Sequence, residues 1–299
     1  MFKKIVVGYA GDRAGRDGVA LACQMAALGG AEMTVVYPYH PLLASAGSDS
    51  AEAAARDELE AMRGDDPVLA AAIFHWSNAS WPIRALHELA SYEAADLIVM
   101  GAVPERPERQ HISLMERMVH GAPCAVAVAP DGYADRTAAV MKEIGVGFAD
   151  SVEGRAAIAL GCELARLTRA RLRIIAAAGL SATLGGYASL VTSVSTVEDE
   201  LFQGTKARLE SVAADLEVGD STPDLQVGRG DACRLLLDAS RELDLLILGS
   251  RGYGPLRHVL LGSVSAPVMR SAHCPVLVLP RRAAEAGHAA TIEATVTER

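Results

Sequence analysis

The chain of 299 residues is poor in aromatic residues, which make up 4% of it, although 51% of its residues are hydrophobic. Packing must therefore depend on Ala, Val and Leu, which suits helices layered closely on a parallel sheet. Basic charge is also scarce. The net charge of -9 disfavours nucleic acid or an anionic membrane surface as a partner. No apolar run approaches the ~20 residues that cross a bilayer, and no secretory signal opens the chain.

The five cysteines are widely spaced and include neither a Cys-x-x-Cys pair nor a metal-ligand spacing. An odd number of cysteines without an export signal predicts buried, reduced thiols and a cytoplasmic location. The histidines show no metal-ligand spacing either. No Ser-His-Asp, paired-carboxylate or Cys-His arrangement can be assembled, so the sequence predicts no metal site and no particular reaction.

The chain repeats itself, and its length suits two domains at ~150 residues each. Gly8 matches Gly147 and Cys23 matches Cys162, both at an offset of 139 residues. Later segments match in the same order: Ala95–Gly101 with Leu243–Gly249, and Cys124–Pro130 with Cys274–Pro280. This shared order predicts two copies of one domain, at residues 1–135 and 136–282. The remaining residues, 283–299, lack a core pattern, and we expect a disordered tail there.

Each copy alternates short, continuously apolar runs with helical stretches, which is typical of a parallel sheet covered on both faces. The predicted strands of copy one are Lys4–Tyr9, Met33–Tyr37, Ala71–Trp76, Leu97–Gly101 and Ala125–Ala129. Those of copy two are Ile144–Phe148, Leu172–Ala177, Asp224–Val227, Leu245–Gly249 and Pro275–Leu279. The first helix of each copy carries an apolar stripe at i, i+4 and i+7, formed by Val19, Cys23 and Ala26 and by Ile158, Cys162 and Ala165.

A glycine-punctuated loop follows the fourth predicted strand of copy two. The strand ends at Gly249, Gly252 and Gly262 lie in the loop, and Ser263 precedes a helical run from Val264 to Ser271, as an N-cap would. Ligands bind beyond the carboxyl ends of parallel strands. Because glycines lack a Cβ and a helix N-terminus offers unpaired N–H groups, this segment predicts a phosphate cradle.

The spacing Gly249-x-x-Gly252, then nine residues, then Gly262-Ser263 resembles the ATP-binding signature of universal stress proteins. The resemblance covers nearly the whole chain and implies two doubly wound, five-stranded parallel domains of the α/β class. It implies a stress-response protein that binds ATP, or AMP or ADP, at the strand ends, and Mg²⁺ can accompany the nucleotide. The residues of this predicted site are Gly249, Gly252, Gly262, Ser263 and Val264. Arg251 is a further candidate, for which contact with phosphate and a place on a solvated loop face are both open.

The resemblance also implies an aspartate beside the adenine and association through the last strand of each domain. Asp150 is the nearest acid, one position after Ala149, which stands in the family's register. Pairing of Cys124–Ala129 with Pro275–Leu279 would make the two copies a pseudo-dimer and remove two apolar edges. We expect the complete chain to form a homodimer as well.

Copy one departs from the signature. Pro104 replaces the second glycine, Ala10 leaves the adenine register without an acid, and the loop is two residues shorter than in copy two. Proline has no N–H to offer a phosphate. We therefore expect copy one to be structural. Three functions remain open for the chain: an ATP-binding stress regulator, which the intact loop favours; a nucleotide-independent scaffold; and a slow ATP hydrolase, for which no water-activating residue is evident.

Overall fold

The computed structural model describes residues 1–38, 53, 56–57, 60–61, 63, 66–77, 82–102, 114–136, 140–179, 194–214, 216, 222–250 and 264–280. The chain separates into two compact units, Met1–Ala139 and Val140–Arg299. Among the described residues, no helix is both long enough and apolar enough to cross a membrane.

The first unit alternates strands with helices. In chain order, its described elements are β1 (Lys4–Gly8), α1 (Arg13–Gly29), β2 (Glu32–Pro38), α2 (Pro67–Ala70), β3 (Ile73–Ser77), α3 (Pro82–Tyr92), β4 (Leu97–Gly101), α4 (Leu114–Val119) and β5 (Ala125–Ala129). The five strands are parallel and lie in the order β3-β2-β1-β4-β5.

The second unit repeats this arrangement. Its described elements are β6 (Glu143–Phe148), α5 (Val152–Thr168), β7 (Arg171–Ala178), α6 (Val194–Ala213), β8 (Asp224–Arg229), α7 (Ala232–Ala239), β9 (Leu245–Gly249), α8 (Ser265–Ser271) and β10 (Val276–Leu279). The strands are again parallel, in the order β8-β7-β6-β9-β10.

The predicted fold class is confirmed: each unit is a doubly wound, five-stranded parallel sheet. From β1 to β3 the chain crosses the sheet in one direction, and from β3 to β5 it crosses in the other. Because crossovers between parallel strands are almost always right-handed, this reversal of direction places α1 and α3 on opposite faces of the sheet. The predicted stripe of α1 is buried, with Val19, Cys23 and Ala26 at most 9% exposed. The matching stripe of α5 is at most 4% exposed.

Three predicted strands agree with the structure residue by residue, at Leu97–Gly101, Ala125–Ala129 and Leu245–Gly249. The prediction was wrong at the start of β3, which begins at Ile73 and not at Ala71. Asp66 caps the short helix α2 by accepting hydrogen bonds from two backbone amides, and Ala71 takes helical angles as its C-cap. This turn keeps Ala71 out of the strand.

An aspartate before the fourth strand of each unit fastens the start of the first strand. In the first unit, Asp96 accepts hydrogen bonds from the backbone amides of Lys3 and Lys4, at 2.7 and 3.1 Å. In the second, Asp244 accepts them from the amides of Lys142 and Glu143, at 2.7 and 2.9 Å. The aspartate that recurs at this position in both copies therefore has a structural role: it holds the start of the first strand beside the fourth.

Candidate functional site

The carboxyl ends of β6 and β9 lie side by side in the second unit, because Gly147 pairs with Leu248 in parallel register. A Cβ placed on Gly249 would lie 2.8 Å from the backbone carbonyl carbon of Glu153, in the first turn of α5. In the first unit, a Cβ on Gly101 would overlap the backbone oxygen of Ala14 in α1. Both strand-end glycines therefore allow a helix N-terminus to approach, which explains why Gly101 remains in copy one.

Ser250 is the residue at this edge that sequence reasoning missed. It follows β9 directly, is fully buried, and its backbone amide donates to the Leu279 oxygen at 2.9 Å. Its side-chain Oγ has no hydrogen-bond partner among the described residues. A buried hydroxyl left unpaired costs about 1–3 kcal/mol. Such a group suits a position that a ligand completes.

The first unit repeats the backbone at this position but not the hydroxyl. There, the amide of Ala102 donates to the oxygen of Ala129 at 2.8 Å, as Ser250 does to Leu279 in the second unit. Alanine leaves no side-chain polar group to satisfy. The two units therefore differ in hydrogen-bonding capacity at the end of their fourth strand.

Asp150 lies at the same edge, two residues after β6 ends at Phe148. Its Oδ1 accepts a hydrogen bond from Nη2 of Arg155 at 3.0 Å, and the side chains of the pair are 40% and 65% exposed, respectively. The next residue, Ser151, caps α5 by accepting a hydrogen bond from the Gly154 amide at 3.0 Å. Because the Asp150–Arg155 pair is exposed, it contributes only about 0–1 kcal/mol, and a competing partner could displace it at small cost.

The helix after the predicted phosphate loop begins at Ser265, and Val264 occupies its N-cap position. Val264 takes helical angles and makes no side-chain capping hydrogen bond. The N-cap predicted at Ser263 is therefore displaced by one residue. Four residues of the predicted site lie outside the described residues: Arg251, Gly252, Gly262 and Ser263.

One acidic side chain is buried at this edge. Glu153 is 6% exposed and lies in the first turn of α5, where the helix dipole stabilises negative charge. Within the described residues, no group of three or more His, Cys, Asp or Glu could hold a metal ion.

The matching edge of the first unit is lined by aromatic rings. Tyr9 is fully buried, and its ring centre lies 6.5 Å from that of Tyr37, which in turn lies 5.0 Å from that of Trp76. The Arg56 guanidinium lies 4.8 Å from the Trp76 ring. In the second unit the corresponding row across the strands is Phe148, Ala176 and Val227. Pro104 and the rest of the copy-one loop, residues 103–113, lie outside the described residues.

The cysteines offer no activated nucleophile. None of the five forms a disulfide bond. Four are buried, as predicted, whereas Cys233 is only partly buried. Burial raises the pKa of the Cys23 and Cys124 thiols to about 12. It also raises the pKa of Cys162 and Cys233. These thiols remain protonated at neutral pH and pack as small apolar groups.

Comparison with known proteins agrees with this architecture. The family model described as the universal stress protein family matches the chain twice, at residues 1–130 and 141–280. The chain is similar to universal stress protein Rv2319c of Mycobacterium tuberculosis, with 27% identity over 92% of this chain and 99% of that protein. It is also similar in fold to a universal stress protein of Archaeoglobus fulgidus, with a TM-score of 0.64, 16% identity, and coverage of 93% of this chain and 98% of the other.

A further universal stress protein was solved in complex with cAMP. It covers 48% of this chain and 98% of its own, at 20% identity, and its TM-score of 0.32 is too low for a structural argument. The double match to the family model spans most of the chain in two copies. The chain therefore belongs to the universal stress protein family.

Proposed function

We propose that the second unit binds an adenine nucleotide, ATP or its mono- or diphosphate form, at the carboxyl edge of its sheet. The observation that carries this proposal is the buried Oγ of Ser250, which has no hydrogen-bond partner among the described residues. It lies where β9 enters the segment Gly249-Ser-Arg-Gly252. A phosphate oxygen could accept its hydrogen bond, and such bonds to charged groups contribute about 1.5–3 kcal/mol.

The sequence supplies the rest of the phosphate site. Gly252 and Gly262 can bring backbone N–H groups close to an anion. Arg251, Ser263 and Val264 complete the set through a guanidinium, a hydroxyl and a backbone amide near the start of α8. In this proposal Mg²⁺ arrives with the nucleotide and is held mainly by its phosphates.

Asp150 is the proposed partner of the adenine amino group. Its carboxylate pairs with Arg155 at 3.0 Å, and the exposure of that pair makes the exchange of partners inexpensive.

In this proposal the first unit is structural and binds no nucleotide. It has Ala102 where the second unit has Ser250, and aromatic rings line its strand ends. We further expect a cytoplasmic protein, since cysteines without disulfide bonds suit a reducing compartment. Homodimerisation and the pairing of Cys124–Ala129 with Pro275–Leu279 remain predictions.

Equilibrium binding of labelled ATP to the purified chain, with a product assay alongside, tests the proposal. We expect saturable binding without turnover. Absence of binding at millimolar ATP would favour the nucleotide-independent scaffold. Release of ADP and phosphate by the chain, lost in a Gly252→Val variant, would favour the hydrolase.

A further inference from the structure

The segment that follows β5 is held on α1 by a buried carboxylate. Asp17 lies in the second turn of α1 and is 1% exposed. Its Oδ2 accepts a hydrogen bond from the amide of Gly132 at 2.9 Å, and its Oδ1 accepts one from the amide of Ala134 at 2.7 Å. Both oxygens are therefore satisfied by backbone amides of a single turn, as a buried charge requires.

Side chains on both sides of this carboxylate extend the contact. Arg13 forms ion pairs with Asp131 at 3.4 Å and with Asp135 at 3.0 Å. The hydroxyl of Tyr133 donates a hydrogen bond to Oε1 of Gln24. Arg13 and Gln24 lie four residues before and seven residues after the buried aspartate, so all three share one stripe of α1. The post-β5 turn, Asp131–Arg136, therefore lies along that stripe.

One glycine gives the turn its shape. Gly132 has a φ of 72°, in the left-handed region that residues with a Cβ rarely adopt. A Cβ at this position would also lie 2.8 Å from Nη2 of Arg13. The glycine thus allows both the backbone conformation and the close approach of the arginine.

The second unit has no counterpart of this contact at the matching helix positions. With the offset of 139 residues, the three positions of the stripe are occupied by Val152, Ala156 and Glu163. None of these offers a carboxylate at the position of Asp17. The contact is therefore a property of the junction that follows the first copy, and not of the repeated domain.

We propose that this contact is a latch that extends the first unit to Arg136 and fixes the point on α1 from which the chain departs toward the second copy. Without it, the six residues after Pro130 would keep their conformational freedom, because ordering each residue has an entropic cost. The latch offsets that cost with two hydrogen bonds to a buried charge. It needs no nucleotide and does not depend on the proposed function.

Amide hydrogen exchange on the complete chain tests the latch. In the wild type, the amides of Gly132 and Ala134 should be protected. Asp17→Asn keeps one acceptor but places an amide donor against a backbone donor, so both amides should exchange at least about tenfold faster. Trypsin cleavage after Arg136 should accelerate as well. The control Asp135→Asn removes only an exposed ion pair and should change either rate less than about threefold.

The amides of Val126 and Val128 in β5 serve as the internal reference, because faster exchange there would report global unfolding. If Asp17→Asn does not fold, Gly132→Ala carries the test, since it strains the turn without altering α1. The proposal is contradicted if Gly132 and Ala134 exchange in the wild type as fast as in an unstructured peptide. It is equally contradicted if folded Asp17→Asn or Gly132→Ala leaves the exchange of Ala134 unchanged relative to β5.

Discussion

Replacing Ser250 by alanine should stabilise the ligand-free protein and weaken its binding of ATP. The Ser250 hydroxyl is buried and has no partner among the described residues, so its removal relieves a desolvation penalty of about 1–3 kcal/mol. Part of that gain is lost to the small void left behind, and we expect a net gain of about 1 kcal/mol. A change of this size raises the melting temperature of a unit of this length by about 2–4 °C.

Ser240→Ala is the matched control in the same unit. Ser240 is also buried, but its Oγ donates to the Leu237 oxygen at 2.7 Å and accepts from the His273 amide at 3.0 Å. Removal of this satisfied hydroxyl should lower the free energy of unfolding by about 1–2 kcal/mol. The two serine variants should therefore shift the melting temperature in opposite directions.

ATP should stabilise Ser250→Ala less than it stabilises the wild type. Loss of one hydrogen bond from the Ser250 hydroxyl to a phosphate should weaken affinity about tenfold. At an ATP concentration 100 times the wild-type Kd, binding stabilises the wild type by about 2.7 kcal/mol but Ser250→Ala by only about 1.4 kcal/mol. Thermal scans with and without ATP measure both effects. If Ser250→Ala melts earlier than the wild type without ATP, or responds equally to ATP, the assignment of this hydroxyl to a ligand is wrong.

Three further changes test the packing and the titrating groups. Gly101→Ala should lower the melting temperature more than Gly249→Ala. The Cβ added at Gly101 would overlap a backbone oxygen of α1, whereas the Cβ added at Gly249 would lie 2.8 Å from a carbon of α5. Equal melting temperatures of the two variants would contradict the closer approach of α1 to Gly101. At pH 8, iodoacetamide should modify half-buried Cys233 before Cys124, because burial raises the pKa of the Cys124 thiol to about 12. Peptide mass spectrometry measures the order of modification, and a reversed order would contradict this prediction. Burial lowers the pKa of His87, so the unfolded chain binds a proton at a higher pH than the folded chain does. Stability should therefore fall as the pH drops below about 6.5. If the melting temperature of His87→Gln depends on pH as that of the wild type does, this prediction is wrong.

The strands were predictable because their burial leaves a local signal. Leu97–Gly101 and Leu245–Gly249 are continuously apolar, and both were placed to the residue. The start of β3 was misplaced because Ala71 is as apolar as a strand residue, while the turn that excludes it depends on the Asp66 cap. Local composition therefore predicts the middle of a strand better than it predicts where the strand begins and ends.

The candidate site was only partly predictable. Glycine spacing indicated the loop, but it could not show that Gly249 also makes room for α5. The significance of Ser250 depends on the absence of a described partner for its hydroxyl, which is a property of the folded structure. Asp17 was missed for a related reason: its partners are backbone amides 115 and 117 residues away, and such groups leave no pattern in the sequence.

Titration calorimetry of the intact chain with ATP tests the central claim most directly, because it gives affinity and stoichiometry together. We predict one nucleotide per chain and loss of that binding in Gly252→Val, where a β-branched side chain would obstruct the phosphates. A stoichiometry of two would show that the first unit binds as well. No heat of binding at millimolar ATP, or unchanged affinity in Gly252→Val, would contradict nucleotide binding at the carboxyl edge of the second unit.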